Sequence, residues 1–240
     1  MRRTGVLGGT FDPIHLGHLA LADAARRALS LDEVLLLPSR LPPHRSQEPA
    51  ASPFHRLAMA ALAVAGRPGL VASDLELRRD GPSFTADTLR ALHAAGHAPL
   101  DLFFLTGTDA FAEIATWREY PDVLNLAHFV VCARPGTPPS VVPLQAPEVA
   151  QRLVDRFDAA GGTALHGTRG SDGAASARIY LLDAVTPAVS STEIRAVARA
   201  GRPLAGLVPP DVEAYIRRHG LYGAPPEPDA GASASGRQLA

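Results

Sequence analysis

Short, continuous apolar runs alternate along the chain with longer stretches in which apolar residues return every three or four positions. The runs are Thr4–Leu7, Glu33–Leu37, Leu70–Ser73, Leu102–Thr106, Phe129–Ala133 and Arg178–Leu182. Each is rich in Val, Leu, Phe or Ile without polar alternation, the pattern of parallel strands covered on both faces. The intervening pattern predicts helices at Leu16–Leu29, Phe54–Ala65, Thr85–Ala95, Asp109–Ala115 and Pro147–Ala159, and another from Ser190 through Ala200. Strands separated by helices imply right-handed βαβ units. The expected fold is therefore α/β: a Rossmann-like, doubly wound parallel sheet with helices on both faces and a C-terminal helical segment. Ligands of such sheets sit beyond the carboxyl ends of the strands, so the loops that follow each strand are where chemistry is expected.

Two segments fall outside the pattern. Gly161–Ser176 is rich in Gly, Ser and Ala and lacks periodicity, which predicts a flexible surface loop; Gly223–Ala240 has too few apolar residues to pack and reads as a disordered tail. Residues 1–222 then form one domain, a size that a single core of up to about 250–300 residues accommodates. No membrane is expected as a partner, because the longest weakly polar stretch, Leu57 to Gly66, is half the ~20 residues of a spanning helix. The apolar run after Met1 is broken by Gly8, Gly9 and Asp12, so it reads as a strand entering a loop and not as a signal peptide.

Composition narrows the chemistry. All 23 basic side chains are arginine, which excludes a lysine-bearing phosphate loop, Schiff-base chemistry and any lysine nucleophile. The net charge of −1 advertises no nucleic-acid partner. The one cysteine, Cys132, has no partner for an internal disulfide, suits the cytoplasm, and lies mid-strand as expected core. Monomer and homo-oligomer are both left open.

The first strand runs into Gly8-Gly9-Thr10-Phe11-Asp12-Pro13-Ile14-His15-Leu16-Gly17-His18. The glycines allow close backbone approach to a ligand, and the helix start that follows offers partial positive charge to phosphate. His15 and His18, three apart, share one face of its first turn. A second helix start, Ser190-Ser191-Thr192-Glu193-Ile194-Arg195, carries a capping-box pair in Ser190 and Glu193. Capping does not account for Ser191, Thr192 or Arg195. Hydroxyls, amides and a guanidinium there suit a second phosphate site, so two helix N-termini could grip one polyphosphate.

These segments resemble the HxGH and SSTxIR signatures of the nucleotidyltransferase superfamily, and within it the bacterial nicotinate-nucleotide adenylyltransferases. Pro42-Pro43-His44-Arg45, Gly81-Pro82-Ser83-Phe84-Thr85-Ala86-Asp87-Thr88-Leu89 and Gly107-Thr108-Asp109 with Trp117 resemble three further stretches of that family, in its order. The resemblance spans about residues 4–222 and implies adenylyl transfer from ATP to nicotinate mononucleotide. It implies that Gly8, Gly9, Thr10 and Phe11 line the nucleotide cleft with backbone amides. His15, His18, Ser191, Thr192 and Arg195 would bind the ATP phosphates, with Gly107, Asp109 and Arg134 on the ATP ribose side. His44 and Arg45 would hold the mononucleotide phosphate, the Thr85 amide the nicotinate carboxylate, and Trp117 would stack on the pyridine. Mg²⁺ would be bound mainly through ATP and water, which accounts for the lack of a carboxylate cluster with metal-ligand spacing.

The chain departs from the family pattern at Phe84, where tyrosine is usual, and at Val189, where isoleucine is common. Arg2, Arg3, His55, His93, His97, His128, His166 and His219 read as surface or structural residues. Three rivals share parts of the pattern. A phosphopantetheine adenylyltransferase would not need the Pro42–Arg45 and Trp117 segments. An enzyme preferring nicotinamide mononucleotide differs by one carboxylate-to-amide change. An inactive nucleotide-binding regulator would be expected to have lost His15, His18 or Arg195.

Overall fold

A computed structural model of the chain describes residues 2–43, 48–133, 146–154, 157–158, 176–184 and 186–225. The six predicted runs all form strands, and a two-residue strand joins them: β1 (Thr4–Gly9), β2 (Glu33–Pro38), β3 (Leu70–Ala72), β4 (Leu102–Gly107), β5 (His128–Ala133), β6 (Phe157–Asp158) and β7 (Ile179–Asp183). All pairings are parallel, in the order β3-β2-β1-β4-β5-β7-β6. The first strand of the chain is thus flanked by β2 and β4, and the strand order reverses beside it. A crevice opens beyond the carboxyl ends of strands at such a point. β1 runs two residues past its predicted end, with Gly8 opposite Leu37 and Gly9 opposite Pro38.

The two-residue period of the strands divides their side chains between two cores. Leu7, Phe103, Leu105, Val130 and Cys132 share a core with α1 (Leu16–Ala28), α2 (Pro53–Val64), α6 (Ser191–Arg199) and α7 (Pro210–Arg218). Val6, Phe104, Phe129 and Val131 face the other way, onto α3 (Thr85–Ala94) and α4 (Thr108–Ala112). Helices therefore cover both faces, as the continuous apolar runs require. α1 buries Leu19, Ala22, Ala25 and Ala28 as one stripe and ends on Arg26 and Arg27, which complement its dipole. Ser52 caps α2 by accepting the His55 amide at 3.3 Å, and Pro53 occupies the first helical position.

Two helices differ from expectation. α4 spans only five residues and passes into a 3-10 turn at Ile114–Thr116. α5 (Pro147–Ala150) ends well before the predicted Ala159. The cause is the open edge of β7. The Ile179 amide donates to the Arg152 carbonyl and the Val154 amide to the Ile179 carbonyl, both at 2.8 Å, and Phe157–Asp158 pairs with Leu182–Asp183. Satisfying a buried strand's backbone outweighs continuing a short helix. Of the two segments read as loop and tail, only Ser176 and residues 223–225 are described.

His128 has the structural role expected of it. It is buried, its Nδ1 accepts the Arg178 amide at 2.9 Å, and burial lowers its pKa to about 4, so the ring stays neutral beside Phe103 and Tyr180.

Candidate active site

A cavity of about 680 Å³ opens at the carboxyl ends of β1 and β4. Gly8, Gly9 and Thr10 form its floor, His15, Gly17 and His18 one wall, Thr85 and Trp117 another, and Gly107 and Asp109 a third. Nine residues expected at the site, from three of the five sequence segments, thus converge on one space, whereas Ser191, Thr192 and Arg195 do not line it. His44, Arg45 and Arg134 lie outside the described residues.

The wall at α1 is built from close contacts. The His15 and His18 rings stack at 3.7 Å between centroids, and Nδ1 of His18 accepts the His15 backbone amide at 3.3 Å. With Nδ1 accepting, the neutral His18 ring carries its proton on Nε2, which makes that nitrogen a donor. Phe11 is 2% exposed and does not line the cavity. Its backbone is left-handed (φ 49°), which sends the ring behind Gly9 and edge-on to His18, 4.9 Å between centroids. A Cβ on Gly9 would meet the Phe11 ring at 2.8 Å, and one on Gly17 would meet His15 Nδ1 at 3.0 Å. Gly9→Ala is therefore expected to cost about 1–3 kcal/mol of stability through overpacking, measurable by chemical denaturation, and to displace His18 through Phe11. A denaturation midpoint equal to wild type would contradict this packing.

At α6, Ser190 is the cap, accepting the Glu193 amide at 3.2 Å. Ser191 and Thr192 do different work. Ser191 Oγ donates to the Pro13 carbonyl at 2.9 Å and so ties the second helix start to the first loop. Thr192 Oγ1 accepts from Arg195 Nη2 at 3.3 Å, while Arg195 Nη1 donates to the Asp12 carbonyl at 2.8 Å. The guanidinium is thereby fixed beside the HxGH loop.

Sequence reasoning passed over the residues that hold this arrangement. Asp12 is 2% exposed; its carboxylate accepts from the Ala50 and Ala51 amides at 2.8 and 3.0 Å and from the Tyr222 hydroxyl at 2.9 Å. Arg56, fully buried, donates from Nη1 to the Thr10 carbonyl at 2.6 Å and from Nε to the Ala51 carbonyl at 3.2 Å. Asp12 sits inside the quoted motif, where its lone charge between apolar and turn residues was the one available signal. Arg56 and Tyr222 gave none, because their partners are far away in sequence.

The wall opposite α1 carries aromatic rings. Half-buried Trp117 stands edge-on to Phe104 at 5.9 Å, and the Arg118 guanidinium lies 4.9 Å over the Phe84 ring. α3 begins at Thr85, whose amide is among the four at a helix start that have no intrahelical acceptor. Buried Glu76 steadies that first turn by accepting from Thr88 Oγ1 at 2.7 Å. Burial pushes the Glu76 carboxyl up, against hydrogen bonds from Thr88 and Ser83 and the charges of Arg79 and Arg56. Cys132 is both core and cavity lining. Burial raises its thiol to about 12, so it is no nucleophile at neutral pH.

Among the described residues, no group of three or more His, Cys, Asp or Glu is placed to hold a metal ion, and no helix is long and apolar enough to cross a membrane. A doubly wound sheet, two helix starts facing a crevice and an HxGH turn define a nucleotidyltransferase. A family model described as Cytidylyltransferase-like matches residues 6–197. A protein of Desulfatibacillum aliphaticivorans named "Probable nicotinate-nucleotide adenylyltransferase" is 41% identical over 225 residues, covering 92% of this chain and 99% of its own. One of the same name from Aeromonas hydrophila is 43% identical, with 91% and 96% covered. The chain belongs to the nicotinate-nucleotide adenylyltransferase family within the cytidylyltransferase-like proteins. Its fold is shared by the Plasmodium falciparum nicotinic acid mononucleotide adenylyltransferase solved with NaAD, at a TM-score of 0.66 and 17% identity, with 94% of this chain and 99% of that one covered.

Proposed function

We propose that this chain transfers the adenylyl group of ATP to nicotinate mononucleotide, forming nicotinate adenine dinucleotide and pyrophosphate in NAD biosynthesis. The observation that carries this reading is the convergence of the His15–His18 wall and the Thr85–Trp117 wall on one cavity. In this reading the triphosphate lies toward the His15–His18 wall and the pyridine ring toward the Thr85–Trp117 wall. The mononucleotide's phosphate oxygen attacks the α-phosphorus of ATP, the bond from that phosphorus to the bridging oxygen breaks, and pyrophosphate leaves with the electron pair. No enzyme-bound intermediate is needed, so the task is alignment and charge stabilisation.

The residues divide that task. Gly8 and Gly9 let the backbone approach the phosphates. His15, His18 and Arg195 meet charge on the bridging and leaving oxygens, with the α6 amides at Ser191 and Thr192 beside them. Gly107 and Asp109 face the ATP ribose. The Thr85 amide takes the pyridine carboxylate and Trp117 stacks on the ring. Mg²⁺ carried by ATP would supply neutralisation of phosphate charge, held mainly through the substrate and water.

The test is dinucleotide formation by the purified protein with ATP and Mg²⁺, comparing nicotinate mononucleotide, nicotinamide mononucleotide and phosphopantetheine. The expected product is nicotinate adenine dinucleotide, with the acid favoured over the amide. Equal use of both pyridine nucleotides would remove the acid preference, and turnover of phosphopantetheine alone would overturn the reading.

A further inference from the structure

We infer that Tyr222, at the far end of the described chain, is a positioning residue that keeps the Arg195 charge available to phosphate by saturating the carboxylate of Asp12. Arg195 Nη1 lies 3.9 Å from Asp12 Oδ2, yet its 2.8 Å hydrogen bond goes to the neutral Asp12 carbonyl. The carboxylate is satisfied elsewhere. Oδ2 accepts the Ala50 amide, and Oδ1 accepts the Ala51 amide and the Tyr222 hydroxyl. A buried carboxylate that loses a donor recruits the nearest cation, because an uncompensated buried charge is costly. Here Arg195 is the cation 3.9 Å away, while Arg56 nearby is held on the Thr10 and Ala51 carbonyls. Closing the remaining gap would tighten this loose 3.9 Å ion pair into a direct hydrogen-bonded one and draw the guanidinium's charge off the substrate phosphates.

Tyr222 is built for this bond. It is 8% exposed and holds a left-handed backbone (φ 60°, ψ 17°) in the turn Leu221–Gly223, which directs the ring inward past Met59 to a residue 210 positions earlier. Burial and the neighbouring Asp12 carboxylate raise the phenol far above its ordinary range, so it remains a donor at every physiological pH.

The inference rests on the adenylyltransferase reading only for the source of the phosphates, and inorganic pyrophosphate tests it directly by isothermal titration. Tyr222→Phe is expected to weaken pyrophosphate binding by about tenfold, the loss of one charge-assisted contact. The KM for ATP rises with it, while the KM for nicotinate mononucleotide stays within about twofold. Adding Asp12→Asn removes the charge that captures Arg195, so the double variant binds pyrophosphate more tightly than Tyr222→Phe alone. Met59→Leu, which disturbs the same packing but leaves the hydroxyl, is expected to bind pyrophosphate as wild type does. A folded Tyr222→Phe protein with wild-type pyrophosphate affinity overturns the inference, as does equal weakening of both substrates or a wild-type protein that binds no pyrophosphate. A wild type that binds pyrophosphate but forms no dinucleotide overturns the proposed function instead.

Discussion

Replacing His18 with alanine is expected to lower kcat by about two orders of magnitude or more while the protein stays folded. The ring has no core to fill: it is half-buried on the cavity wall, stacked on His15 at 3.7 Å. Its Nδ1 is engaged by the His15 amide, which leaves Nε2 as the donor for a phosphate oxygen. In the proposed mechanism that contact would strengthen as negative charge builds on the leaving pyrophosphate, so its loss is expected to fall on kcat more than on KM. His18→Asn separates the two nitrogens, since an amide oxygen can still accept the His15 N–H while the donor falls short of the phosphate. Steady-state pyrophosphate release, with circular dichroism as the control for folding, gives the answer. A His18→Ala enzyme releasing pyrophosphate at near wild-type rate would remove the residue from the mechanism.

Arg195→Ala is expected to reduce kcat/KM for ATP about a hundredfold, and Arg195→Lys to recover only a small part of it. The guanidinium uses Nη1 on the Asp12 carbonyl and Nη2 on Thr192 Oγ1, a forked anchorage that a single ammonium cannot reproduce. Lysine would place a mobile point charge where the fold holds a fixed, planar one. With no lysine anywhere in the chain, the proposed phosphate site can draw its cationic side chains only from arginine and histidine. If Arg195→Lys matches wild type for ATP, charge suffices and the forked geometry is irrelevant.

The sheet was readable because its signals are local. Continuous apolar runs give parallel strands wherever both faces are covered, and Leu102–Gly107 and His128–Ala133 show it residue by residue. Pro147–Ala159 misled because Leu153, Val154 and Phe157 have helical spacing, yet the open edge of β7 claims this segment. The cavity's lining was legible for a similar reason: glycines after a strand and histidines three apart are chemistry written in neighbouring residues, whereas of the Ser-Ser-Thr helix start only Ser190 lines the cavity. What holds the lining in place was not. Asp12 draws its partners from residues 50, 51, 195 and 222, and nothing in the spacing of those positions announces that they meet. Phe11 was read for its backbone amide alone, and nothing in the motif announced that its left-handed backbone turns the ring behind the floor, edge-on to His18.

The spread of Asp12's partners also bears on how the protein comes into being. The first strand and the HxGH turn leave the ribosome early, whereas Tyr222 follows Asp12 by 210 positions. At about 5–20 residues per second, that interval is roughly 10–40 s of synthesis. During it, a nascent chain can pair β1 with β2 and seat α1, but its buried carboxylate has no phenol to hold it and no Arg195 beside it. A chain stopped just short of Tyr222 would keep His15, His18 and Arg195 but lack the phenol, and is expected to share the weakened pyrophosphate binding of Tyr222→Phe.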